Sequence, residues 1–550
     1  MAQRISRRAT LGLGALLLVG GTAAQAASSA SALAFDKSNY TTITITVDSQ
    51  TMSVRWYKEL CYVANPQAMA ATQSSGTIAN PTCGYQSMNV FVPESAANDQ
   101  KTAIYFAVNN AGWMSSYVAA SVADGASFDS STSNVGAALK AGYVYVDVGT
   151  RGRGITAADG SYAGKSPAAI VDAKAAVRYL RLNDAAMPGS AERIVVNGTS
   201  GGGALSAILG ASGNSADYLP WLADIGAAGV DARGHSTLRD DVFAINAYCP
   251  ITDLGNADKS YEWLYNVLGT RATVGTSNPY PAAAAQLMAA YPAYLRSLHL
   301  TDAAGQRITE ANLLDEIRQE VIKSAVAYMK AGNTIPALGD SFSITSGGFP
   351  GGTTTTATYT NDWIDVDNTR KAVRSLDMTR YLAFVATQAT LKGTPAFDAI
   401  GVSQSGGNTR AESTLFGTGA QSYSNFTDFS WNANDSAGDG VGLDDTGLTW
   451  ARYVHTQAGA AVATQVRLID PMAYIGGNDT APFWYVRNGT RDRDSSFQVS
   501  YNLSRALAAD RKVRDVDYLM AWNQPHGGNY DVPEAMAWIA KVLEAADARD

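Results

Sequence analysis

The chemistry in this sequence is concentrated in RIVVNGTSGGG, residues 193–203, where one serine stands among crowded glycines behind a short apolar run. Gly198, Thr199, Ser200, Gly201 and Gly202 fit the spacing G-x-S-x-G. In that arrangement a serine on a strained turn between strand and helix exposes its hydroxyl as a nucleophile. The spacing alone is a weak signal in a chain with 51 glycines, so its neighbours have to decide. Residues 193–196 read as a buried strand and GALSAILGA, from 203, as an apolar helix, an order that points a helix N-terminus at developing negative charge. A serine nucleophile needs a base, and the candidates are His235, His299, His455 and His526. With the order serine, acid, histidine, only His526 fits, in NQPHGGNY after the last apolar run. The acid is expected just past PFWYVRNG, where Asp492 and Asp494 both qualify and spacing does not separate them. For an oxyanion, the Gly201 N–H and one from Ala111 or Gly112 in FAVNNAGWMSS are the expected donors. Together these groups spell two-step acyl transfer, which requires no metal or organic cofactor.

Several apolar runs must position these groups. TAIYFAVNN from 102, GYVYVDVG from 142, RIVVNG from 193, DVFAINAYCP from 241, PFWYVRNG from 482 and VDYLMAW from 516 are rich in Val, Ile and Tyr. Such continuous runs suit parallel strands covered on both faces. SPAAIVDAKAAVRYLRLN, with Ser166 as the expected N-cap, Pro167 at the first helical position and Ile170, Ala173, Val177 and Leu180 on one stripe, reads as a crossover helix. Successive strand–helix–strand units predict an α/β fold with a mostly parallel central sheet. Between 252 and 464 the texture changes to helical stretches and a Gly/Thr-rich patch, and no apolar strand run appears. We therefore expect a discontinuous core, 36–251 plus 465–550, carrying a large, mainly helical lid insertion over 252–464.

Composition limits the functions available. The 550 residues are 46% hydrophobic and 16% charged, which describes a well-buried globular protein. Residues 1–26 combine Arg4, Arg7 and Arg8, the apolar LGLGALLLVGG and small residues at 24 and 26, and read as an export signal. Ser6, Arg7, Arg8 and Leu11 fit its twin-arginine form, so a periplasmic or extracellular location is expected. Net charge is −8, and loss of the leader's three arginines takes it to −11. That balance gives no electrostatic footprint for nucleic acid or an anionic membrane. In an oxidising compartment Cys61 and Cys83 could close a loop, leaving Cys249 as a buried, small apolar side chain. The cysteine spacing is not a metal pattern.

SPAAIVDAKAAVRYLRLND, RIVVNGTSGGGALSAILGASG, FAINAYCPITDLGNADKSYEWLYN, LKGTPAFDA, RNGTRDRDSSF and PHGGNYD together resemble the bacterial tannases, serine α/β-hydrolases related to feruloyl esterases that cleave galloyl esters. The resemblance runs from about residue 40 to 540. It implies that Asp492 is the acid of the triad with Ser200 and His526, and that Lys392, Glu412 and Asp494 bind the hydroxyls of a small polyphenolic ester. Gly201 stands where relatives often carry alanine, a difference expected to change little because the backbone N–H acts. The rival readings are a feruloyl or general aryl esterase with the same triad, a serine peptidase, and a catalytically inactive hydrolase fold used for binding. Oligomeric state is not legible in the sequence.

Overall fold

The computed structural model describes residues 32–548 except 75, 119–121, 276–279, 347–353, 401–411 and 439. The leader expected at 1–26 lies outside the described residues. The six apolar runs form six strands: β4 (Ile104–Val108), β6 (Val144–Val148), β7 (Ile194–Thr199), β8 (Ala244–Tyr248), β13 (Phe483–Gly489) and β14 (Asp515–Ala521). All six are parallel, in the spatial order β14-β13-β8-β7-β4-β6. Beyond β6, the strands β3 (Ser87–Pro93), β2 (Gln50–Cys61), β1 (Thr41–Val47) and β5 (Ser127–Phe128) complete a ten-stranded sheet. The first three of these pair antiparallel, as a meander laid on the edge of the parallel core. The architecture is an α/β-hydrolase fold with a mostly parallel sheet, as expected from the strand and helix pattern.

Side chains alternate across this sheet with period two, so its central strands feed two apolar clusters. Val196, Ile245, Trp484 and Val486 belong to one, and Val195, Ala244, Phe483 and Tyr485 to the other. The first cluster also takes in Leu313, Ile317, Val321, Trp363 and Tyr381 from the insertion between β8 and β13. Insertion and sheet thus share one apolar mass.

The crossover helix α1 (Ala168–Leu182) lies between β6 and β7 and is buried along almost its whole length. Its start differs from expectation. Pro167, not Ser166, occupies the N-cap, and the Ser166 hydroxyl donates to the Gln465 carbonyl at 2.6 Å. The Ser166 N–H goes to Leu415, so this residue ties the core to the insertion and leaves its helix uncapped by a side chain. The insertion is mainly helical, with α3 (Leu254–Asn266), α4 (Pro281–Ser297) and α5 (Leu313–Lys330) among its longer elements. It also holds two hairpins absent from the sequence reading, β9 (Ser341–Ser346) with β10 (Thr355–Thr360), and β11 (Ile364–Asp367) with β12 (Ala372–Leu376). The first escapes an apolar-run criterion because one of its faces carries Ser and Thr, with Ser343–Thr358 and Thr345–Thr356 hydroxyl pairs across the strands. Cys61 and Cys83 are joined, with Cα atoms 5.9 Å apart. Among the described residues no helix is long and apolar enough to cross a membrane.

Helix α1 is also fixed by a buried ionic cluster. Lys174 and Arg178 reach the two oxygens of Asp240 at 2.7 and 2.8 Å, with all three side chains shielded from solvent. Burial opposes the Asp240 charge, but the two cations outweigh it and hold its carboxyl below the usual range. Removing the anion leaves two buried cations without it. Asp240→Ala is expected to cost about 3–5 kcal/mol in a denaturant titration, whereas a loss within about 0.5 kcal/mol, as at an ordinary surface site, would contradict this account.

Candidate active site

Register brings the reactive groups together. Tyr248, the last residue of β8, lies opposite Thr199 of β7 on one side and Arg487 of β13 on the other. The residues that follow these three parallel strands therefore emerge next to one another at one edge of the sheet. Ser200 follows β7 and starts α2 (Gly201–Ala211), with φ 63° and ψ −121°. A non-glycine residue there is strained. Two hydrogen bonds hold it: Ser200 N–H donates to the Tyr248 carbonyl at 2.9 Å, and Ile251 N–H to the Ser200 carbonyl at 3.2 Å.

His526 Nε2 lies 2.8 Å from Ser200 Oγ, and His526 Nδ1 lies 2.9 Å from Asp492 Oδ2. Asp492 is wholly buried; its Oδ1 accepts the N–H groups of Asp494 and Ser495, and its Oδ2 the Ser495 hydroxyl. Burial works against both charges in the pair. The mutual attraction and hydrogen bond win, holding the Asp492 carboxyl below its ordinary range and the His526 imidazole well above its own. The two acids that spacing left unresolved thus occupy different places: Asp492 meets the imidazole, and Asp494 pairs with Arg493 at 2.7 Å and stays partly exposed. The loop carrying His526 is pinned by Asp531, which accepts from Tyr248 Oη, Tyr485 Oη and Arg487 Nε at 2.8, 2.6 and 2.9 Å. Gly528 lets that loop touch the elbow, since a Cβ there would fall on the Thr199 side chain.

The turn Ala111–Trp113 packs on the first residue of α2. Its Trp113 and Met114 N–H groups are taken by the carbonyls of Asn110 and Ala111. The N–H groups of Ala111 and Gly112 have no acceptor among the described residues, and Gly112 N is 3.0 Å from where a Gly201 Cβ would sit. Arg153 Nε donates to the Gly112 carbonyl and braces the turn from behind. Alanine at 201 would need the neighbouring turn to move. A Cβ would land on Trp113 N and Asn110 O, because in this chain the turn has closed onto the bare Cα.

Lys392 and the 493–494 segment are joined through one hydroxyl: Tyr261 Oη donates to the Arg493 carbonyl at 2.8 Å and accepts the Lys392 N–H at 3.1 Å. Arg271, itself paired with buried Glu262, holds the Lys392 carbonyl at 3.0 Å. The Lys392 ammonium sits 4.2 Å from the Phe397 ring centre. Glu412 begins the turn Glu412–Leu415, which packs on the Ala111–Trp113 turn. Glu412 is buried, and its Oε2 has no hydrogen-bond partner among the described residues. Sequence reasoning missed Tyr261, Arg153, Asp531 and the position of Cys249. The thiol was read as small apolar filling, but its Sγ lies within 4.8 Å of ligand atoms of both Asp492 and His526. A cleft of about 530 Å³, lined by Tyr162, Lys165 and Trp221, opens elsewhere between α1 and residues 417–421, and no triad residue lines it. Side-chain geometry, rather than cleft size, marks the candidate site.

Comparison with known proteins fits this geometry. The BD-FAE family model matches residues 88–272. No curated protein sequence matches the chain. A Fusobacterium nucleatum tannase superposes with TM-score 0.72 at 29% identity, covering 93% of this chain and 99% of that one. The native tannin acyl hydrolase of Lactobacillus plantarum gives 0.70 at 28%, with the same coverage. The chain is a structural homologue of the tannases. A tannin acyl hydrolase in complex with ethyl gallate gives 0.69 at 27%, again over 93% and 99% of the two chains. The tannase-like fold extends through sheet and insertion alike, so the insertion is part of what the relatives share.

Gly201→Ala is expected to cost about 1–3 kcal/mol of stability through overpacking and to lower ester turnover by up to about 10²–10³-fold as the turn is pushed off the elbow. Unchanged unfolding and turnover in this variant would show that the turn yields freely.

Proposed function

We propose that the chain is an exported serine esterase that hydrolyses galloyl esters through an acyl-enzyme. The observation that carries this reading is the unbroken chain of contacts from Ser200 Oγ to His526 to buried Asp492. The tannase likeness, with ethyl gallate bound to one relative, supplies the substrate class. His526 Nε2 takes the Ser200 proton as Oγ attacks the ester carbonyl, and Asp492 holds the Nδ1–H so that Nε2 is the free base. The Gly201 N–H and that of Gly112 or Ala111 stabilise the oxyanion. The imidazolium then returns its proton to the leaving alcohol, and water activated by the same imidazole releases the acid. Lys392 donates to phenolic oxygens, while Glu412 and Asp494 accept from phenolic hydroxyls. The leader's twin-arginine pattern is the basis for proposing export.

The test is a substrate series on the purified enzyme. Methyl gallate is expected to be turned over well, and removal of the ring hydroxyl that donates to Glu412 to cost about 1–3 kcal/mol in kcat/KM, because that buried carboxylate is left unpaired. Lys392→Ala and Glu412→Ala should raise KM for gallate esters and spare simple short esters. Ser200→Ala should abolish turnover of all of them, by about 10⁴-fold or more. Comparable rates on methyl ferulate would move the reading to a feruloyl or general aryl esterase, and full activity in Ser200→Ala would remove the nucleophile.

The pH profile offers an independent check. An imidazole held above its ordinary pKa stays protonated, and so unable to accept the serine proton, to a higher pH than a free histidine. As pH falls through the raised value, kcat/KM should fall, with its acid midpoint above about 6.5. A midpoint at or below that of a free histidine would contradict the pairing with Asp492.

A further inference from the structure

Cys249 is the first residue after β8 and stands between the serine that follows β7 and the acid that follows β13. Its backbone is in the left-handed region, φ 42°, held there by its N–H donating to the Arg487 carbonyl at 2.7 Å. The side chain is buried and is the one cysteine outside the disulfide. The Tyr530 hydroxyl directs its proton to the carbonyls of Pro525 and Gly527, at 2.9 and 2.7 Å, which leaves its oxygen to accept from the Cys249 thiol at 2.9 Å. Ligand atoms of Cys249, Asp492 and His526 all lie within 4.8 Å of one another.

We propose that Cys249, His526 and Asp492 form a binding site for a thiophilic divalent cation such as cadmium or zinc, and that occupation of the site switches the enzyme off. Thiolate and imidazole select such ions over magnesium or calcium. A thiolate, a carboxylate and a neutral imidazole together cancel the two positive charges, so the buried site carries no net charge when filled. Tetrahedral zinc coordination at about 2.0–2.3 Å to each ligand separates donor atoms by roughly 3.3–3.8 Å. The His526–Asp492 pair, now 2.9 Å apart, has to open by about half an ångström. His526 is the partly exposed member of the three, so the ion arrives from its side.

The proton balance explains inhibition. The Cys249 thiol loses its proton to solvent as the metal–sulfur bond forms. The imidazole proton moves from Nδ1 to Nε2, freeing the Nδ1 lone pair for the metal. Nε2 then carries a proton and donates to Ser200 Oγ, so it cannot take the serine proton. Inhibition rests on the catalytic role proposed above for His526, whereas metal binding does not.

The experiment titrates the full-length enzyme, without reductant and at a pH above the acid midpoint of its turnover, where His526 is neutral, with cadmium chloride. The wild type is expected to develop the ultraviolet thiolate-to-cadmium charge-transfer band at one cadmium per chain, to release about one proton as measured in buffers of different ionisation enthalpy, and to lose ester turnover in parallel. Magnesium chloride should do none of this. Cys249→Ser should lose the band, and its turnover relative to its own metal-free rate should need about tenfold more cadmium, or higher, for half inhibition. Ser200→Ala should keep the band, since the serine is not a ligand. Absence of the band in the wild type, or equal cadmium inhibition of wild type and Cys249→Ser, overturns the proposal and leaves the esterase reading intact. A band without inhibition overturns the switch, since His526 is then either not a ligand or not the base.

Discussion

The site depends on the alignment of three neighbouring parallel strands. β7, β8 and β13 are paired so that Thr199, Tyr248 and Arg487 share one level, and the chain leaves all three at the same edge of the sheet. Parallel pairing puts every such exit on one side, which an antiparallel sheet would not do. Ser200 and Asp492 reach the same small volume by this means although nearly three hundred residues separate them in sequence. The strain at Ser200 is sustained because backbone bonds to Tyr248 and Ile251 hold the elbow on both sides. His526 comes from the outermost strand of the parallel set, β14, and its loop is tied back through Asp531 to β8 and β13. The imidazole is therefore positioned by the same strands that position its partners.

The loop that carries Lys392 is built differently, on buried acids that organise it. Asp258 accepts the N–H groups of Phe397 and Asp398, and Asp398 in turn accepts from Phe426 and Thr427. Burial, with the charge of Asp398 beside it, pushes the Asp258 carboxyl up to about 8. Lys392 sits upstream of this arrangement, its own peptide clamped by Tyr261 and Arg271. A loop fixed this way can hold an ammonium in place without a regular element to carry it.

Much of this was legible in the sequence, and the parts that were not share a cause. The six parallel strands could be read because strands buried on both faces are continuous apolar runs. Ser200 and His526 could be read because an elbow and a late histidine loop leave local marks. Choosing Asp492 over Asp494 required the family resemblance, since both sit in RDRDS and only the fold decides which one meets the imidazole. The hairpins at 341–376 were missed because one is faced with Ser and Thr. Ser166 was misread as a cap because a local pattern does not reveal a partner at Gln465. The position of Cys249 beside the triad, the clamp made by Tyr261 and the close approach at Gly201 depend on strand register and loop closure, which span hundreds of residues and leave no short-range signature.

The insertion gives Leu313, Ile317, Val321, Trp363 and Tyr381 to the same apolar cluster as Ile245, Trp484 and Val486 of the sheet. A lid that merely rested on the surface could be trimmed, exchanged or swung as a separate piece. Here excision would strip the sheet of its cover on one face, and a transplanted lid would have to match that face side chain for side chain. Point replacement within the insertion leaves that shared core in place, whereas exchange of the whole segment has to rebuild it.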